Sequence, residues 1–154
     1  MEYLLAKWVH ILSSTLLFGT GLGSAFYMFF ASRTRDPRVI ATVVKYVVVA
    51  DWLFTTPTIV LQPLSGFYLV HLAGYPLTSA WILWSIILYL VAGAAWLPVV
   101  WMQIRMRGLA HVAALNGTAL PEVYWKYLRA WVALGVVAFV ALVIVFYLMV
   151  MKPA

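Results

Sequence analysis

Two ionisable side chains, His10 and Asp51, lie inside long apolar runs. An ionisable group at membrane depth is costly to keep and stands as a functional candidate for that reason. At about 100° per residue, His10 shares a helical face with Ser14, Leu17, Gly21, Ser24 and Met28. That face is small and polar, which suits a bundle interior better than lipid. An imidazole placed there suits heme iron as an axial ligand, or carries a proton near neutrality. The alternative is a hydrogen bond from His10 to a neighbouring serine or carbonyl, tying two helices together.

Asp51 heads the most polar stripe in the chain, with Thr55, Thr58, Gln62 and Ser65 on its face. Pro57 and Pro63 interrupt the same segment and free backbone carbonyls that side chains or water must satisfy. A hydrated channel, a proton path and a surrounding for porphyrin propionates all fit such a stripe. So does an internal network that merely stabilises a kinked helix.

The remaining candidates are weaker. His71 ends the same segment and is a candidate partner for His10, although an unbroken helix turns it away from the Asp51 stripe. His111 sits near Arg105 and Arg107 and reads as a headgroup-facing residue. Met149 and Met151 are soft copper(I) ligands by type, without a cluster around them. The run Gly19-Thr20-Gly21-Leu22-Gly23-Ser24 lacks the third glycine and the preceding strand of a dinucleotide fingerprint. There is no cysteine, which excludes disulfides, thiolate zinc sites and iron–sulfur clusters. No paired carboxylates, hydrolytic triad or metal-spaced histidines occur.

The elements that position these residues follow from composition. Of 154 residues, 66% are hydrophobic and 9% charged, with a mean hydropathy of +1.02. A soluble domain is roughly 45–50% apolar and about 25% charged, so this chain cannot cover a water-facing surface. Four segments, at about 3–31, 40–72, 79–105 and 123–151, each reach the ~20 residues a membrane span needs. The single domain 1–154 is therefore expected to be an all-α, up-down four-helix membrane bundle. The first segment is too long for a cleaved leader and is expected to stay in place.

Charge sets the direction. Arg33, Arg35, Arg38, Lys45, Arg105, Arg107, Lys126 and Arg129 fall at one end of the bundle, and Lys7 and Lys152 at the other. The positive-inside rule then puts both termini outside, in a bacterial inner membrane; because the charges behind the net +6 sit between long apolar runs, they set orientation and no nucleic-acid partner is expected. Tyr3, Trp8, Tyr75, Trp81, Trp84 and Tyr147 are expected to form an outer aromatic belt. Trp101, Tyr124, Trp125, Tyr127 and Trp131 are expected to form the inner one. Gly19-x-x-x-Gly23 offers a face for close helix packing.

The stretch Lys7-x-x-His10-Ile11-Leu12, followed by Phe18-Gly19-Thr20-Gly21, resembles the HemJ/CopD-like group of small bacterial membrane proteins. Within that group the chain is most similar to uncharacterised integral membrane proteins of this length. Thr55-Thr56-Pro57 followed by Ser65-Gly66 resembles the second-helix pattern of HemJ. HemJ proteins are heme-containing protoporphyrinogen oxidases, and the resemblance implies that His10 is a heme iron ligand. Their third helix carries a lysine three residues after a tryptophan; here Trp84 holds that position in Trp81-Ile82-Leu83-Trp84.

The resulting expectation is a heme b-binding inner-membrane protein with a redox or electron-transfer role. His10 is its axial ligand, His71 a candidate second ligand and Lys7 a propionate partner. Ser14 and Trp84 lie nearby. One alternative is a cofactor-free subunit or scaffold that assembles with itself or with a partner protein through small-residue faces. The other is a proton or ion pathway built on Asp51, Thr55, Thr58, Gln62 and Ser65.

Overall fold

The structure, a computed structural model, describes residues 1–153. It is all-α, with α1 (Glu2–Arg33), α2 (Pro37–Ala50), α3 (Thr56–Ala73), α4 (Ala80–Asn116) and α5 (Glu122–Met151). A π-helical turn, Asp51–Thr55, joins α2 to α3 into one span running from Pro37 to Ala73. Four helices are thus long and apolar enough to cross a membrane. The protein is a multi-pass membrane bundle with up-down topology.

The connections are short and capped by their own residues. Asp36 accepts the backbone N–H of Arg38 at 2.8 Å, and Pro37 opens α2 where no N–H is needed. Gly74 and Gly117 end α3 and α4 in the left-handed conformation, at φ 69° and 63°. That backbone is open to glycine without penalty.

The helices run past the expected spans. α4 continues to Asn116, eleven residues beyond Arg105, because Met106, Ala110 and Ala113 keep one face buried at helical spacing. With Ile40, Val44, Met28, Met102, Leu120 and Tyr124 they form an apolar core at the end that carries the basic loops. The other end holds a much smaller cluster, Trp81, Ile82 and Leu148.

The second span changes partners at its π turn. α2 lies against α4 and, less closely, α1, whereas α3 packs on α1 and barely approaches α4. Pro57 explains where this happens. Its ring has no N–H and would collide with the carbonyl four residues back, so the wider turn just before it relieves the clash.

Gly19 and Gly23 do not supply a packing face within the bundle. A Cβ added at either meets no atom within 4 Å, and α1 is buried instead through Ser13, Ser14, Leu17 and Met28. Two expected inner-belt residues are not at the lipid interface either. Tyr124 is fully buried and bonds Ser32 at 2.8 Å, and Trp131 is drawn inward by a hydrogen bond described below. Trp81, expected in the outer belt, is buried beside Tyr75.

Candidate functional site: two polar centres inside the bundle

The polar stripe of the second span divides into two centres that face different helices. Asp51 sits in the first turn of the π-helical segment and is 7% exposed. Gln103 of α4, 1% exposed, donates its amide to the Asp51 carboxylate. The amide oxygen of Gln103 in turn accepts the indole N–H of Trp131 on α5, at 3.2 Å. One buried chain of hydrogen bonds therefore links three of the four membrane-crossing helices. The Thr55 hydroxyl and the Trp96 indole flank the same carboxylate. Both polar atoms are buried and have no hydrogen-bond partner among the described residues. A buried donor without a partner costs roughly 1–3 kcal/mol.

The surroundings of Asp51 consist of neutral donors. Neither lysine, arginine nor histidine pairs with it, and the ion pair found among the described residues, Lys126 with Glu122, lies on the surface. The hydrogen bond the carboxylate accepts comes from the neutral amide of Gln103.

The second centre lies toward the end that carries both termini. Nδ1 of His10 is 2.8 Å from the Ser65 hydroxyl, and Ser13 donates to the side-chain oxygen of Gln62. Both contacts join α1 to α3. Ser65 has a single proton and sits 2.7 Å from the Leu61 carbonyl. With the proton given to Leu61, Nδ1 of His10 becomes the donor and Nε2 keeps its lone pair. Gly66 makes room for the ring, since a Cβ there would lie 3.3 Å from His10 Cε1.

The other expected site residues are placed as follows. Ser14 is buried but bonds the Ile11 carbonyl of its own helix at 2.7 Å. Thr58 likewise bonds backward, to Phe54 and Thr55. Lys7 and His71 are exposed, and Trp84 is 57% exposed toward lipid. His71 lies six residues past Ser65, turned about 120° from it by helical geometry, so the two histidines do not share a face. His111 is exposed on the extended end of α4. No group of three or more His, Asp or Glu side chains among the described residues is arranged to hold a metal ion.

Gln103, Trp96, Ser13 and Tyr89 also belong to the polar interior and were not singled out from the sequence, and Trp131 was expected only in the inner aromatic belt. A lone amide in an apolar run, as in Met102-Gln103-Ile104, is the signal that marks the first of them. No curated protein and no solved structure matches the chain. A family model described as "Predicted integral membrane protein (DUF2269)" matches residues 4–153, nearly the whole length. The chain belongs to this family of integral membrane proteins.

Proposed function

We propose that the protein is a proton-binding component of the membrane, with Asp51 as the group that takes up and releases the proton. The observation that carries this reading is a buried carboxylate held by the neutral amide of Gln103, with no cation beside it. The carboxylate is buried, and the group that donates to it, the Gln103 amide, carries no charge. A buried carboxyl with no cationic partner can take up a proton without breaking an ion pair, as an intramembrane proton carrier requires. The π-helical turn at the same residues adds support, because such turns gather at functional sites.

Infrared difference spectroscopy of the protein in lipid, between acid and alkaline pH, tests the reading. A protonated-carboxyl band present in the wild type and lost in Asp51→Asn supports it. A spectrum that Asp51→Asn leaves unchanged overturns it. Reconstituted vesicles give a second readout, in which Asp51→Asn abolishes any proton flux the wild type carries.

A second reading is favoured by the seat of His10. Its Nδ1 is engaged by Ser65 and its ring rests against Gly66, which is how an imidazole is oriented when its other nitrogen binds a metal. This supports the expectation, drawn from the resemblance to the HemJ/CopD-like group, that His10 ligates heme b. Lys7, three residues earlier on α1 and exposed, suits a propionate. A heme would supply one-electron redox chemistry, and this chain would contribute the oriented ligand. A reduced-minus-oxidised absorption spectrum of wild type and His10→Ala decides it. A b-type spectrum lost in the variant supports the reading. A protein still colourless after heme is offered removes it.

A further inference from the structure

We infer that Asp51 exchanges its proton with the end of the bundle that carries both termini, and is sealed from the basic-loop end that lies nearer to it. The inference rests on the reading of Asp51 as a proton site and adds the route.

The basic end is close. Lys45 precedes Asp51 by six residues, about 9 Å along the helix, and Arg105 follows Gln103 by two. Yet the space between is filled by Val47, Val44, Met28, Met102 and Met106, all buried and packed into a single apolar core. Beyond them Ile40 and Ala110 continue the same packing. Dense apolar packing leaves no room or partners for water. A proton has no carrier through that layer.

The opposite direction differs in composition. Thr55, Thr58, Gln62 and Ser65 follow Asp51 at steps of three and four residues, so the stripe runs on without a break as it turns from α4 toward α1. α1 adds Ser13 and His10 to this line. Ser13, Thr55, Thr58 and Ser65 are buried, and Gln62 and His10 are half-buried. The line ends near the surface at the exposed pair Tyr68 and Glu2, in which the tyrosine donates to the carboxylate. The line lies where α3 packs on α1, and beside it α3 scarcely meets α4, the hydrogen bond from Tyr89 to Ile59 being a contact between them. Successive polar groups stand a helical turn apart, about 5 Å, so ordered water must bridge them. A polar lining with several partners per site is the condition under which water enters a protein interior.

The chain contains no cysteine and is therefore a ready background for single-cysteine labelling. The variants are Thr58→Cys and Gln62→Cys on the polar line, and Val44→Cys and Met106→Cys in the apolar core. Thr78→Cys and Thr118→Cys, in the loops at the two ends, report which side is which. The probe is a membrane-impermeant, cationic methanethiosulfonate applied to either face of reconstituted vesicles.

We expect Gln62→Cys and Thr58→Cys to react roughly tenfold faster from the Thr78 side than from the Thr118 side, because the reacting thiolate needs water. Val44→Cys and Met106→Cys should stay unlabelled from both sides, and become reactive only in detergent-unfolded protein. Labelling of either core position from the Thr118 side overturns the route. So does silence of both polar-line positions while the loop markers react. Labelling does not depend on Asp51 ionising. A failed labelling pattern with the Asp51 infrared band intact therefore refutes the route alone, and a missing band with the pattern intact refutes the proton reading alone.

Discussion

The Tyr89 hydroxyl donates to the backbone carbonyl of Ile59 at 2.6 Å, across the gap between α4 and α3. Ile59 is four residues before Pro63, which has no N–H to give it. The carbonyl that proline leaves bare in the membrane is therefore satisfied by a side chain from another helix.

Tyr89→Phe should then destabilise the bundle by about 1 kcal/mol, the usual scale of a hydrogen bond between membrane helices. Pro63→Ala restores the local donor. In the Pro63→Ala background the Tyr89→Phe cost should shrink toward zero. Reversible unfolding of the four members of this cycle in detergent measures the coupling, and an equal cost in both backgrounds rejects the link.

Asp51→Ala removes the acceptor for Gln103 and strands its amide in the interior. We expect a loss of about 1–2 kcal/mol. The double variant Asp51→Ala with Gln103→Leu replaces both partners by apolar groups and should recover much of it. Gln103→Leu alone frees the Trp131 indole from its acceptor. Its fluorescence should shift to the blue, while emission in Asp51→Ala stays nearer the wild type.

Two glycines should behave oppositely. Gly66→Ala places a methyl 3.3 Å from the His10 ring, so the imidazole must shift by a few tenths of an ångström and its bond to Ser65 is perturbed. Nitrogen-15 spectra of the histidine should report a changed tautomer mixture. Gly19→Ala meets open space and should change stability by no more than about 0.5 kcal/mol. A silent Gly66→Ala would mean that His10 is not held as described.

Lys152 closes the end of α5. Its ammonium lies 4.9 Å from the Tyr75 ring centroid and 5.6 Å from that of Trp81, and it donates to the Tyr75 hydroxyl at 3.2 Å. Lys152→Gln should cost about 0.5–1 kcal/mol, the range for exposed cation–π contacts. Faster amide exchange over Leu148–Met151 is the expected sign, with the rest of α5 unaffected.

The four spans were legible because hydropathy averages over about twenty residues and tolerates local error. His10, Asp51 and Ser65 were legible for a related reason: polar groups in an apolar run stand out by type alone. Their partners were not. Whether Asp51 meets Gln103, or His10 meets Ser65, depends on how each helix is rotated against its neighbour, and periodicity within one helix carries no such information. Tyr124 and Trp131 show the same limit from the other side. Their type and depth suited an interfacial belt, yet Ser32 and Gln103 supply the hydrogen bonds that let them be buried. Pro57 marked a break in the second span without saying that it would be taken up by a widened turn.

That turn gives the second span a spare residue. Asp51–Thr55 accommodates one residue more than an α-helical turn would. Deleting the exposed Trp52 or Leu53 would let the span close into a continuous α-helix of unchanged hydropathy, with the helices on either side keeping nearly their present phase. Thr58, Gln62 and Ser65 would still face α1, and His10 and Ser13 would keep their partners. A deletion within the regular helix between Thr58 and Gln62 has no such slack and turns everything beyond it by about 100°. Reading-frame-preserving deletions scanned along the second span would find the widened turn as a local maximum in tolerance.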